Sequence, residues 1–242
     1  MKILNTTRGF VLLSYLTLLI GITPSHAAFI TVDLSSIVNS DITTYTNGTN
    51  YPAPGLTTIG GIPFELTDGG NGNTFVAGGL ASIGTPQSYS IAGLNVANVI
   101  SMYAIINSAF GDCGSDVGSL TTLSGGDSST FVLTEGKNVR DHFQGSFCNT
   151  QTDAEATANY GFRTIFDVFK FDISVLTNNG LNPVNGLNFK TDGGGVGQGE
   201  PFLAAVTFET HPVAVPEPVS PILLGIGLAG IGLVRRRRGV VK

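Results

Sequence analysis

The chain has 242 residues, of which 42% are hydrophobic and only 12% charged, with 33 glycines and no tryptophan; this is enough for one sizeable core, and its wealth of turn formers over helix formers speaks against a helical cytosolic protein. The formal net charge of −5 is unevenly spread: Lys2, Arg8, Arg235, Arg236, Arg237, Arg238 and Lys242 are terminal, which leaves Lys137, Arg140, Arg163, Lys170 and Lys190 against all seventeen acids and a net of −12 for the middle. A body that acidic repels nucleic acid and anionic membrane while tolerating cations and neutral polymers.

At the N-terminus Lys2 and Arg8 flank the start of an apolar run, Phe10 to Ile22, which is followed by Pro24, Ser25, His26, Ala27 and Ala28. A short positive region, an apolar core of about a dozen residues and a small-x-small site are the pattern of a secretory signal peptide. It is predicted as a helix over residues 1–27, with cleavage between Ala27 and Ala28. The other reading, a buried or membrane-spanning helix, has an apolar core short of the ~20 residues a span needs.

Residues 28–208 read as short β runs between turn signals. Strands are predicted at Phe29 to Leu34, Ile62 to Leu66, Ser88 to Ala92, Val99 to Ile106, Thr130 to Thr134, Phe166 to Leu176, Leu187 to Lys190 and Phe202 to Phe208. Turns fall at Asp68 to Asn73, Ser124 to Asp127, Asn178 to Gly180 and Asp192 to Gly195. Many short strands with Gly-rich turns predict an all-β fold, a single β-sandwich or jelly-roll body. Phe162, Phe166, Phe169 and Ile173 sit at helical spacing, but Phe169, Phe171 and Ile173 alternate with Lys170 and Asp172, and the aromatic and β-branched density favours a strand.

The two cysteines, Cys113 and Cys148, both lie in this middle region. In an exported protein they are expected to form one disulfide, which the chain-entropy model values at roughly 4 kcal/mol for a loop of this length; the alternative is two free buried thiols. Zinc needs more ligands than these cysteines with the distant His142 and His211 offer. Asp68 with Asn71 and Asn73, and Asp112 with Asp116, offer fragments of a Ca²⁺ loop, but turn formation explains the same residues, and the spaced acidic pattern with a distal Glu is missing. No other cofactor is expected, since no phosphate-cradling Gly-Lys motif or dinucleotide fingerprint follows a predicted strand.

Catalysis finds little support. No Gly-x-Ser-x-Gly elbow is present, and the seventeen acids nominate no particular carboxylate pair for glycoside hydrolysis. Arg140, Asp141 and His142 form the most polar local cluster, which reads better as a hydrogen-bonded strand end than as a catalytic set. A sugar-stacking platform would have to come from Tyr45, Tyr51, Tyr89, Tyr103, Tyr160 or a Phe.

Residues 209–218 are a Pro-rich linker that ends in Pro216-Glu217-Pro218, and Val219 to Val234 follows without a charge. Sixteen helical residues rise ~24 Å, slightly less than a ~30 Å hydrocarbon core, and flanking arginines can snorkel. Arg235, Arg236, Arg237 and Arg238 open the basic tail, residues 235–242, and the positive-inside rule keeps these four cytoplasmic with Glu217 and the body across the membrane. An ordinary single-span anchor is the alternative.

The order of these three parts, Pro216-Glu217-Pro218, an apolar helix over residues 219–234 and a terminal Arg cluster, resembles the PEP-CTERM sorting tail. The resemblance covers Val215 to Lys242. It implies recognition by an exosortase-type membrane protease, cleavage near Val215, Pro216, Glu217 and Pro218, transient residence in the inner membrane with the body on the periplasmic side, and a secreted or cell-surface product associated with exopolysaccharide. Two prolines around a glutamate also keep that peptide extended, as a protease substrate requires. The body is similar to galactose-binding-like and lectin-like β-sandwich modules at Gly61-Ile62-Pro63-Phe64, Val139-Arg140-Asp141 and Pro201 to Thr207, and this implies a fold without carrying ligand residues across. The expectation is an exported, non-enzymatic matrix protein, a structural or exopolysaccharide-associated component; the rivals are a carbohydrate-binding module and a glycan-active hydrolase.

Overall fold

The computed structural model describes residues 27–40, 52–69, 76–77, 85–109, 112–142, 150, 153–161, 164–193 and 199–212. The chain divides into Ala27–His211, one compact body, and a second unit of Met1–His26 with Pro212–Lys242, of which only Pro212 is described. The expected signal helix, the cleavage motif Val215, Pro216, Glu217 and Pro218, the apolar segment 219–234 and the basic cluster Arg235, Arg236, Arg237 and Arg238 therefore lie outside the described residues. So do Cys148, Asn71, Asn73, Tyr45 and Tyr51.

The described residues form an all-β, sandwich-like fold of several sheets and contain no helix. In chain order the strands are β1 (Ala28–Thr31), β2 (Gly55–Ile59), β3 (Ile62–Leu66), β4 (Val76–Ala77), β5 (Gln87–Val96), β6 (Val99–Ala109), β7 (Asp116–Ser124), β8 (Asp127–Thr134), β9 (Ala154–Gly161), β10 (Thr164–Asp172), β11 (Val184–Thr191) and β12 (Glu200–Thr210). A six-stranded sheet runs β1-β12-β6-β10-β9, with β4 also on β12. A four-stranded sheet runs β5-β11-β7-β8, and β2 with β3 makes a separate hairpin. Pairing is antiparallel throughout these strands.

Two apolar cores make this a three-layer arrangement. Met102, Ala104, Ile106, Phe169, Phe171, Val206 and Phe208 of the six-stranded sheet pack with Leu120, Leu133, Leu187 and Phe189 of the four-stranded one. The other face of the six-stranded sheet offers Tyr103, Ile105, Phe166, Val168, Phe202 and Ala204 to Ile59, Ile62, Phe64 and Leu66 of the hairpin. The central strands β6 and β12 are thus covered on both faces, which is why they read as nearly unbroken apolar runs. Strand β9, at the sheet edge, alternates between half-buried and exposed residues along its whole length.

Six of the eight predicted strands fall within observed ones, and two run on too far. The strand expected over Phe29 to Leu34 ends at Thr31, although the Val32 N–H still bonds the Val206 carbonyl at 2.9 Å. The strand expected over Phe166 to Leu176 stops at Asp172, and residues 174–182 turn instead; Asn178, Asn179 and Gly180 all take left-handed φ there, which no strand accommodates. The ambiguous Phe-rich segment is a strand, β10. Strands β2, β4, β7 and β9 carry no pattern that announces them. The turn at Ser124 to Asp127 is a two-residue hairpin in which Gly125 (φ 59°) and Gly126 (φ 95°) are both left-handed, the geometry that matches the twist of its flanking strands.

Candidate functional site

The polar side chains that lie inside the fold collect where β6 finishes. The ladder between β10 and β6 runs only from Val168 to Asp172, and one residue earlier the Asn107 side chain takes over. Its Oδ1 accepts from the Asp167 backbone N–H at 3.0 Å, and its Nδ2 donates to the Asp167 carboxylate at 2.9 Å. Arg140 grips the same carboxylate with two bonds, Nε at 2.7 Å and Nη2 at 2.9 Å, and the Thr157 hydroxyl donates to it at 2.6 Å. Asp167 is 0% exposed. Four donated bonds satisfy the two oxygens of this buried side chain. Arg140 is therefore held as a structural partner.

Beside this network lies a second carboxyl. The turn after β8 is joined to the turn before β7 by bonds from the Glu135 N–H to the Ser115 carbonyl and from the Gly114 N–H to the Glu135 carbonyl, each 2.9 Å. A short parallel bridge from Ser108 to Asp141 then extends the sheet, with the Ser108 N–H on the Arg140 carbonyl and the His142 N–H on the Ser108 carbonyl. Folded in this way, Glu135 is 1% exposed and accepts a hydrogen bond from the Ser108 hydroxyl at 2.5 Å, while its Oε1 has no hydrogen-bond partner. Burial pushes the Glu135 carboxyl up to about 7, with the nearby Asp141 charge adding and the Ser108 hydroxyl and Asp141 backbone opposing. His142 sets its ring edge-on to Phe202 at 5.7 Å. Glu135 and Asp141 are the neighbouring carboxyl groups that a glycosidase would draw on, but at 1% and 4% exposure both are closed to a polymeric substrate.

The outer face of the four-stranded sheet is open. Cross-strand register places Ser88, Lys190, Ser119 and Val132 in one row, Ser90, Asn188, Thr121 and Thr130 in the next, and Ala92, Gly186, Leu123 and Ser128 in a third. Asn188 Nδ2 donates to Ser88 at 2.9 Å and Ser90 at 2.7 Å, and the Thr121 and Thr130 hydroxyls bond at 2.9 Å. These rows carry short hydroxyls and one amide, with Lys190 as their charge and Leu123 and Val132 as exposed apolar side chains. No aromatic is among the exposed large side chains of the described residues. Tyr103 is buried, and Tyr89 and Tyr160 pack against the two cores.

The chain enters and leaves the body at the opposite end of the sheets from Glu135. Ala28 pairs with Thr210, whose hydroxyl donates to the Ala28 carbonyl at 3.1 Å. Glu209 is tied down by Lys170 at 3.2 Å and by the Tyr103 hydroxyl at 3.1 Å, with the Lys170 ammonium 5.1 Å from the Tyr103 ring centroid and Phe29 edge-on to that ring. The expected cleavage residues Ala27 and Ala28 thus stand directly before and at the start of β1.

The remaining sequence candidates separate in space. Asp68 is exposed just after β3, Asp112 is exposed in the turn before β7, and Asp116 opens β7 and accepts the Thr134 hydroxyl at 2.8 Å. Among the described residues no group of three His, Cys, Asp or Glu side chains is placed to hold a metal ion. Cys113 is exposed, and no cysteine among the described residues is a free thiol. Among them, too, no helix is long and apolar enough to cross a membrane. Sequence reasoning missed Glu135 and Asp167. The readable sign for Asp167 is a lone acid inside Ile165-Phe166-Asp167-Val168-Phe169, where only a bonded carboxylate can sit; Glu135, next to Gly136, Lys137 and Asn138, looks like an ordinary surface turn. No protein-family model, curated protein or solved structure matches this chain.

Proposed function

We propose that the chain is the precursor of an exported, non-catalytic β-sandwich protein, sorted by a PEP-CTERM-type tail and serving outside the cell as a structural or exopolysaccharide-associated component. The observation that carries this reading is the ordered tail: Pro216-Glu217-Pro218, the uncharged Val219 to Val234, and the cluster Arg235, Arg236, Arg237 and Arg238. The body agrees with it. Its two strongest acid clusters are spent on the fold, Asp167 in four hydrogen bonds and Glu135 with Asp141 behind the surface. A hydrolase would need such groups in contact with solvent.

The second reading, a carbohydrate-binding module, is favoured by the hydroxyl and amide lattice on the outer sheet face, which can exchange hydrogen bonds with a neutral polymer. The lack of an exposed aromatic among the described residues works against stacking as its mode. A Cys113 to Cys148 disulfide belongs to the same proposal, since export delivers the chain to an oxidising compartment.

Intact mass of the protein recovered outside the producing cells, with and without reductant, tests the reading. A species that starts near Ala28, ends near Pro216-Glu217-Pro218 and gains two hydrogens on reduction is the expected result. A species that retains Arg235 to Lys242 overturns the sorting role and makes the tail a permanent anchor.

A further inference from the structure

Strand β8 closes one side of the four-stranded sheet, and among the described residues no strand pairs with its other side. Counting from the hairpin at Gly125 and Gly126, the residues Asp127, Ser129, Phe131 and Leu133 turn their N–H and carbonyl groups toward β7. Ser128, Thr130, Val132 and Thr134 turn theirs outward. Such a row is a template on which another chain can pair.

The two edges of this sheet are built differently. β5 is bent where Gly93 and Asn95 take left-handed φ, and its register against β11 slips at the same place. β8 keeps an unbroken register from Asp127 to Leu133, holds no Lys, Arg or Pro, and carries Asp127 as its one charge. Its second half, Thr130-Phe131-Val132-Leu133-Thr134, also favours the extended form. None of the usual guards of a sheet edge is present in the strand itself.

The guard comes from the next turn. The chain folds back after Glu135, with the Lys137 and Asn138 N–H groups on the Thr134 carbonyl at 3.1 and 3.3 Å and the Gly136 N–H on the Val139 carbonyl at 2.8 Å. Val139 is buried at 0% exposure in the core between the two large sheets, which fixes its neighbour Asn138 beside β8. The Asn138 side chain then meets two successive outward groups of the strand. Its Nδ2 donates to the Val132 carbonyl at 2.7 Å, and its Oδ1 accepts from the Thr134 N–H at 2.7 Å. A donor to one residue and an acceptor from the residue two further on is what one residue of a parallel neighbouring strand supplies. With Asn138 there, another strand can run along the edge only as far as Thr130.

We propose that Asn138 is an edge lock: its amide stands in for a neighbouring strand on β8 and keeps a second copy of this chain from pairing there. The excluded partner is a second copy because the outward row complements itself. On a two-fold axis at Thr130, Thr130 faces its own counterpart and Ser128 faces the other copy's Val132, so their N–H and carbonyl groups are matched in both directions. The two Asp127 side chains would lie about 20 Å apart in that ribbon, too far to oppose it at physiological salt.

Full-length chains carrying Asn138→Ala, alone or with Thr130→Pro, are compared with the unaltered chain by sedimentation in detergent at physiological salt. The terminal segments are common to all three and cancel in the comparison. Pro at position 130 removes an outward N–H and leaves the ladder to β7 intact. Asn138→Ala is expected to sediment at about twice the mass of the unaltered chain, and the added Thr130→Pro to restore that mass. Equal masses for a folded Asn138→Ala chain overturn the lock, and so does association that Thr130→Pro leaves in place. Should Asn138→Ala fail to fold, amide exchange in the unaltered chain decides. The Thr134 N–H is expected to exchange at least about tenfold more slowly than the Thr130 N–H, and equal rates overturn the proposal.

Discussion

Glu135 makes the stability of the body depend on pH in a direction opposite to that of a carboxylate held in an ion pair. In the folded chain its carboxyl is held up to about 7 by burial, from an ordinary value of 4.5. Between these two values the folded state keeps a proton that the unfolded state has released. Its contribution to stability is therefore greatest below 4.5, falls as pH rises toward about 7, and then levels off. At about 1.4 kcal/mol for each unit of pKa the full swing is roughly 3 kcal/mol, a large part of the 5–15 kcal/mol that a domain of ~200 residues has in total. Glu135→Gln keeps the shape and the acceptor for Ser108 and removes the titration. Urea unfolding of both proteins across a series from about pH 4 to 8.5 is expected to give similar free energies at the acid end and a Gln variant more stable by up to roughly 3 kcal/mol at the alkaline end. Taking the difference cancels every other titrating group that the substitution leaves alone. A difference that stays flat across the series would refute the burial argument and mean that Glu135 is hydrated in solution.

Two further substitutions test the packing at the opposite ends of the body. Asp167→Ala removes the acceptor for Arg140, Thr157 and Asn107 at once, and is expected to lower the unfolding free energy by about 3–5 kcal/mol because a largely buried guanidinium loses both its bonds to that carboxylate; a loss within about 0.5 kcal/mol would place the network in water. Gly180→Ala meets both a φ of +88° and the Asn98 backbone, and should cost more than about 1 kcal/mol. Because Asn98 also holds His211, faster amide exchange at His211 in that variant is the specific sign that the loop and the chain exit are coupled, and unchanged exchange would show that they are not.

Alternation and turn chemistry make half of this fold legible and conceal the rest. Ile62 to Leu66 is bounded correctly because Gly60 and Gly61 turn before it and its apolar residues alternate. Strand β9 hides behind Ala154, Glu155, Ala156 and Ala158, which favour helices; a neighbouring strand, β10, imposes the extended form. In β7 the register shift between Asp116 and Gly118 breaks the alternation that Val117, Leu120 and Thr122 would otherwise show. Carrying the strand of Phe166 on to Leu176 fails because apolarity there does not mean extension: Ile173 and Leu176 turn inward to cap the core. The buried polar end is the least legible part. Asn107, Glu135, Arg140 and Asp167 are far apart in sequence, and only the register of β6 against β10 and the return of the turn after β8 bring them together.

The two ends of the body meet on neighbouring strands. β1 starts at Ala28 itself, so a cut after Ala27 leaves no spare residue ahead of the first strand. Its bond to Thr210 joins residues 182 apart. Closing so long a loop is slow compared with forming the hairpins inside it. Once made, it holds Ala28 and Thr210 within about 5 Å of each other.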